Sequence, residues 1–394
     1  MGKLMLFEIS FDPSKAVFIA GTIVRGTVKL ELRDAMKMRA VRMTCLGRAY
    51  VHWSEVENVG HRGGRQRVET VDYTADEDYF QFRFQLWPKE NAPEEANSLG
   101  PGQHTFPFQL QLPTDLPPSF EGAYGYIRYW AKATIDKPWK FDHHTKRAFT
   151  VIPNLDLNQE PGVSEPIQYR GELRTGCCCL PSGRFSGSIT TNRKGFVPGS
   201  EIGLLSQIEN HSGSTCWAEV NLKMHITYLA GRKFKQEKKV VSTVCKEMIP
   251  RGKTYTWKEK MRIPPLPPSH LKGCKLMKSQ YLLQFRVGSD ARCSWDEVEF
   301  EDEIIIGTLP FTNKAPLTAV ARVQPSQTTL TVAPPEKEIE NSGKPSYEEC
   351  VLFGRVNIKD KDDTEHTLGE LIFTPLYAFY SPRTPIRRGS SCLE

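Results

Sequence analysis

The sequence predicts an all-β chain of two tandem antiparallel sandwiches, on three observations. Landmarks recur in one order: Phe18-Ile-Ala-Gly21 and Leu112-Pro-Thr-Asp-Leu-Pro-Pro-Ser119 are matched by Phe196-Val-Pro-Gly199 and Ile263-Pro-Pro-Leu-Pro-Pro-Ser269. Matching landmarks in a fixed order at long spacing mark a duplicated domain. Apolar residues alternate with polar ones at period two, the pattern of half-buried antiparallel strands, and no long stretch has helical period. The 394 residues exceed what a single core usually holds, about 250–300, while 28 prolines and 29 glycines favour turns over helices.

Taken in order, Val28, Leu30 and Leu32 alternate with Lys29 and Glu31, which predicts an early strand. The stretch Val56–Asp78, containing Gly60-His-Arg-Gly-Gly-Arg-Gln-Arg67, lengthens the first copy relative to the second and reads as an exposed loop. Phe106, Phe108, Leu110 and Leu112 alternate with Pro107, Gln109 and Gln111, and Ile127, Tyr129, Ala131, Ala133 and Ile135 repeat the pattern. The proline-rich landmarks between such strands must be extended connections, because proline cannot donate to a sheet ladder. The first domain is expected over 1–153 and a linker carrying Pro161 and Pro166 over 154–174. The second domain is expected over 175–312, where Val220, Leu222, Met224, Ile226 and Tyr228 alternate with Glu219, Asn221, Lys223, His225 and Thr227.

From Asn313 the alternation fades, and 313–394 reads as a largely disordered, flexible tail rich in Thr, Pro, Glu and Ser. Two islands interrupt it: Pro345-Ser346-Tyr347 and Pro375-Leu376-Tyr377. Each offers an extended backbone and an aromatic ring to a grooved partner domain. The competing reading is an anchor docking back on the body, since Leu371, Ile372, Phe373, Phe379 and Tyr380 are apolar for a free tail.

Charge and chemistry exclude several classes. The chain carries 52 basic and 46 acidic residues, a net charge of +6 too diffuse for a nucleic-acid surface. The amino terminus lacks the apolar run of a signal peptide, and no apolar stretch nears the ~20 residues of a spanning helix. Ten cysteines without a secretory signal read as reduced thiols of a cytosolic protein. Cys177-Cys178-Cys179 lacks metal-site spacing and reads as a small-residue linker or strand start, or as a site of lipidation or redox use. Cys245, Cys274 and Cys293 read as small apolar residues in or beside strands.

No nucleophile elbow, Walker loop, dinucleotide fingerprint or zinc-protease motif occurs, so no catalytic residue, metal or cofactor is expected. His143-His144 lies in a charged turn without an oriented partner. The acidic run Asp296–Glu303 reads as a solvated strand or turn, since it lacks calcium-loop spacing. Two basic clusters stand out: Arg62, Arg65 and Arg67, and Arg232, Lys233, Lys235, Lys238 and Lys239. Either is an ordinary solvated hairpin or a seat for phosphate or acidic lipid headgroups.

Several segments then resemble a known family. Tyr129-Trp-Ala-Lys-Ala-Thr-Ile-Asp-Lys-Pro-Trp-Lys140 with Phe149-Thr-Val-Ile152 resembles the end of an arrestin amino-terminal domain. Cys45–Trp53 and Gly195–Gly199 fit the same family, while Thr175–Cys179 and Pro345–Cys350 resemble the arrestin-domain-containing proteins, or alpha-arrestins. The resemblance implies two arrestin-type sandwiches in a non-enzymatic trafficking adaptor. Members bind membrane receptors or transporters and recruit HECT-type ubiquitin ligases, whose WW domains read PPxY motifs in the tail. Here Lys344 and Thr374 stand where the first proline of each motif belongs, which implies weaker docking in a WW groove.

Overall fold

The structure, a computed structural model, describes residues 3–62, 65–88, 98–175, 183–289, 297–312, 344–350, 352–360 and 363–381. The described residues form two β-sandwiches and a strand-bearing tail segment that packs against them.

The first sandwich begins with β1 (Leu4–Asp12), β2 (Val17–Ile19), β3 (Ile23–Leu32), β4 (Met36–Lys37), β5 (Ala40–Arg62) and β6 (Arg65–Trp87). It continues with β7 (Ser98–Leu99), β8 (Gly102–Gln111), β9 (Phe120–Gly122), β10 (Gly125–Asp136) and β11 (His143–Ile152). Sheet β1-β3-β8 packs against sheet β2-β11-β10-β5-β6. Alternation decides which side faces inward: Ile127, Tyr129, Ala131, Ala133 and Ile135 of β10 are fully buried, while Arg128, Trp130, Lys132 and Thr134 take the outer face.

The second sandwich takes β12 (Gln168–Thr175), β13 (Gly183–Thr191), β14 (Gly195–Phe196), β15 (Glu201–His211) and β16 (Cys216–Ala230). Next come β17 (Lys233–Ile249), β18 (Lys253–Arg262), β19 (Met277–Ser289) and β20 (Glu297–Ile306). Sheet β12-β13-β15-β18 faces sheet β14-β20-β19-β16-β17. The domain therefore starts inside the stretch expected to be linker: β12 pairs Gln168 with Thr190 and continues to Thr175 with Gly183. Ahead of it, single apolar residues anchor a largely exposed stretch, with Leu157 buried and Val163 buried against Gly195.

The sequence duplication is physical. Tyr129 donates its hydroxyl to the Pro117 carbonyl at 2.7 Å, and Tyr281 donates to the Pro267 carbonyl at 2.8 Å. Each buried tyrosine thus satisfies an orphan carbonyl in its proline-rich connection, as burial of polar groups demands. Ser119 Oγ accepts the Val151 amide and Ser269 Oγ the Ile306 amide, both at 2.9 Å. The Phe-Gly landmarks also coincide: β2 runs parallel to the end of β11, as β14 does to β20.

One expectation fails in this region. The described residues of the insert, 56–62 and 65–78, are not a loop but strand, belonging to β5 and β6, which pair Val56 with Thr70 and Asn58 with Val68. The composition is loop-like where the hairpin runs past the core and no apolar face is required: Val56 and Val68 are exposed, whereas Tyr73 and Ala75 still pack on the core. Pairing persists because the hairpin rests on the second domain. Glu57 meets Lys233 at 2.6 Å, Glu55 meets Lys235 at 2.9 Å, and Lys233 Nζ lies 5.3 Å from the ring centre of Tyr73.

Candidate functional site

The most heavily built site lies where the tail crosses the first sandwich. Register places Lys132 of β10 directly opposite Lys146 of β11. Like charges facing each other across a ladder repel, and Lys146 is 1% exposed, so the pair demands an anion. The tail supplies it. Asp363, its side chain fully buried, accepts Lys132 Nζ at 2.6 Å and Lys146 Nζ at 2.8 Å. Lys146 also donates to Asp360 at 2.6 Å and to the Ile358 carbonyl at 2.9 Å, and lies 4.7 Å from the Trp130 ring centre. Burial alone would raise the Asp363 pKa, but hydrogen bonds from Lys132 and Lys146 outweigh it and hold the carboxyl well below the usual carboxylate range.

The tail around this centre is folded. Its strands are β21 (Ser346–Glu349), β22 (Val356–Asn357), β23 (Thr367–Glu370), β24 (Ile372–Phe373) and β25 (Leu376–Phe379). Strand β23 runs parallel to His144–Arg147 of β11, a stretch beyond the reach of β2, and so covers what would be an open sheet edge. The approach is close enough to require glycine. Gly369 has φ +104°, and a Cβ there would stand 2.4 Å from the Lys146 carbonyl oxygen.

The strap then enters the seam between the domains. Strand β25 pairs with β21, and Tyr377, 1% exposed, donates its hydroxyl to the Ser119 carbonyl at 3.0 Å. Tyr380 donates to the Thr308 carbonyl of the second domain at 2.8 Å, and its amide donates to the Pro198 carbonyl at 2.9 Å. Phe353 meets Phe120 edge-on at 5.1 Å and lies beneath Lys239, whose Nζ donates to the Leu352 carbonyl at 3.2 Å. One tail segment thereby touches both sandwiches. In the 320 Å³ cleft between strap and β11, Arg147 meets Glu370 at 2.9 Å and Arg355 meets Glu349 at 3.3 Å.

The comparisons with known proteins agree with this architecture. The family described as "Arrestin (or S-antigen), N-terminal domain" matches residues 7–158, and "Arrestin (or S-antigen), C-terminal domain" matches 181–311. The chain is an arrestin-domain-containing protein. Arrestin domain-containing protein 4 of Mus musculus is 32% identical, covering 78% of this chain and 72% of its own. Arrestin domain-containing protein 17 of Caenorhabditis elegans is 28% identical over 100% of this chain and 90% of its own. Arrestin domain-containing protein 1 of Mus musculus is 27% identical, with 98% and 84% covered.

In this arrestin-domain-containing chain the tail islands are not a free peptide. Residues 313–343 and 382–394 lie outside the described residues, but both islands dock. Pro375 and Tyr377 are buried, Leu376 and Tyr347 are half-buried, and Ser346 is exposed with its hydroxyl on the Phe379 carbonyl. Burial also raises the Tyr347 pKa. The apolar residues of the segment are the signal for docking: Tyr377 and Tyr380 are buried in the seam, although Ile372 stays exposed. Pro345 is half-buried beside them.

The second basic cluster is not an open patch either. Strand alternation sends Lys233, Lys235 and Lys239 to one side, where Glu57, Glu55 and Glu237 neutralise them. Arg232 and Lys238 stay exposed. The side chains of Arg62, Arg65 and Arg67 lie outside the described residues, as do Cys177, Cys178, Cys179 and Cys293. Cys245 lies exposed in β17, and Cys274 is half-buried just ahead of β19.

His143 meets the Lys137 ammonium at 2.8 Å and His144 the Thr134 hydroxyl at 2.9 Å. Burial, then neighbouring lysines, lower both pKa values. In the acidic run, Asp296 falls outside the described residues. Glu297 meets Arg286 at 2.6 Å, Glu301 meets Lys223 at 3.1 Å and Asp302 meets Lys194 at 2.8 Å, as in a solvated strand.

Proposed function

We propose that this protein is a non-enzymatic adaptor in endocytosis and protein trafficking that links membrane receptors or transporters to WW-domain HECT ubiquitin ligases. It works in the cytoplasm and is recruited to the plasma membrane and endosomes. Family membership and protein-binding sandwiches support the adaptor role. The observation that shapes the rest is the burial of Tyr377 in the interdomain seam. A WW groove needs the tyrosine ring and the proline together, and here both face the body of the protein. Recruitment through Pro375, Leu376 and Tyr377 therefore requires the strap to leave, while Pro345, Ser346 and Tyr347 are freed in the same step because β21 pairs with β25. The strap makes recruitment conditional. The alternative, a membrane-associated scaffold that binds acidic lipids or coat subunits without recruiting a ligase, is less well supported, since of Arg232, Lys233, Lys235, Lys238 and Lys239 three already have carboxylate partners.

The test is binding of WW domains to a synthetic peptide spanning 370–381, to the full chain, and to full-chain Asp363→Asn. The expected order is strong for the peptide, weak for the intact chain, and restored by the substitution. Failure of every WW domain to bind the free peptide would remove ligase recruitment by this motif.

A further inference from the structure

The turn joining β10 to β11 is the barest aromatic feature among the described residues. Trp139 is fully exposed and Phe141 is 79% exposed. Trp139 also holds φ +59°, a left-handed conformation that a bulky side chain rarely adopts, so the backbone spends strain to project an indole into solvent. Folding gains nothing from that placement. The turn itself is firmly held: Pro138 precedes the indole, and the Lys137 amide donates to Asp142 at 2.9 Å.

Charge around the knob has one sign left over. Arg39, Lys137 and Lys140 border the cleft beside Trp139, whose only carboxylate is Asp142. The nearby Asp136 is taken by Arg39 at 2.7 Å and Arg42 at 2.8 Å. Lys140 is exposed. A convex pair of aromatics ringed by cations suits a soft anionic medium. Indole and phenyl rings favour the headgroup boundary of a bilayer, and lysine and arginine heads reach its phosphates from the rim.

We infer that the 137–141 turn is a membrane-inserting wedge that seats the first sandwich on anionic bilayers, with Trp139 and Phe141 entering the headgroup layer and Lys137 and Lys140 holding lipid phosphates. This places the lipid contact on a different domain from the basic hairpin at 232–239. It does not depend on any ligase, and the tail reaches it at one point, where the His366 ring lies 5.7 Å from Phe141.

The experiment uses the full chain and vesicles of phosphatidylcholine with and without phosphatidylserine. Binding is read by flotation, and insertion by tryptophan emission and quenching from brominated lipid. The chain has seven tryptophans, so the signal of interest is the difference between wild type and Trp139→Ser. Wild type binds only vesicles containing phosphatidylserine, with a blue shift that Trp139→Ser abolishes. Trp139→Ser and Phe141→Ser each weaken binding by about tenfold. Lys137→Gln/Lys140→Gln weakens it by roughly 10- to 30-fold, and Arg232→Gln/Lys238→Gln leaves it unchanged. Because the indole makes no buried contact, Trp139→Ser should melt with wild type. Absence of binding to anionic vesicles overturns the inference, as does Trp139→Ser binding as tightly as wild type. Sensitivity to the lysines alone also overturns it, since that describes a charged patch without insertion.

Discussion

Replacing Asp363 by asparagine keeps shape and removes one charge from the centre of the strap. Lys132 and Lys146 lose the carboxylate they share at 2.6 and 2.8 Å. Removing one partner of a buried ion pair costs about 3–5 kcal/mol. Asp360 still reaches Lys146 at 2.6 Å, but its side chain is 38% exposed and screened, so the lower end, about 3 kcal/mol, is the expected loss. At 1.4 kcal/mol per decade that is roughly a hundredfold rise in the open population. The rise should be local, because the sandwich cores do not include the strap's polar centre. Hydrogen exchange at Thr367–Glu370 and Leu376–Phe379 should accelerate by about that factor, while Tyr129–Ile135 keeps its protection. Adding Lys146→Met to Asp363→Asn should recover part of the loss, since the uncompensated buried ammonium is then gone. Unchanged exchange in Asp363→Asn, or a double variant no better than the single one, would refute the view that this charge centre fastens the strap.

The same carboxyl sets a pH dependence. Its folded pKa is depressed, so its contribution is fully present above the unfolded value of about 3.9 and is lost as pH falls further, through the folded pKa. Limited proteolysis of the tail should therefore show no step between about pH 5 and pH 8, and a step in that range would point to another group. Gly369→Ala forces a Cβ towards the Lys146 carbonyl at φ +104° and should cost at least about 1–3 kcal/mol of docking, read by the same exchange experiment. Tyr129→Phe and Tyr281→Phe each strand a buried proline carbonyl and should lower whole-domain stability by about 1–3 kcal/mol in denaturant melts. Equal effects are expected because the two sites are copies.

Much of this fold was legible because its causes are local. Period-two alternation specified the buried faces of β10 and β16, and each proline-rich landmark carried its own reason to be a connection. What the sequence hid depends on register and on long-range partners. Gly60–Arg67 has the composition of a loop, and nothing in it announces that Glu55 and Glu57 just before it meet Lys235 and Lys233 of the second domain. The basic hairpin looked like one patch because sequence adjacency ignores the alternation that separates Lys239 from Lys238.

The charge centre was invisible for the same reason. Lys132 and Lys146 are 14 positions apart, and nothing in either neighbourhood says that they face each other. Asp363 lies more than 200 positions further on. Yet once the register is known, the tail's docking follows almost by necessity. A buried like-charge pair on an outer sheet face requires an anion, and β2 leaves the edge of His144–Arg147 away from β10 uncovered. A segment offering both a carboxylate and a strand answers both demands at once. The Pro-x-Tyr tyrosine belongs to that same segment, 14 residues beyond Asp363 and buried against Ser119. Because fastening and motif share one short segment, the motif cannot be presented without releasing Tyr377 from the seam, and the charge centre sets much of the cost of that release.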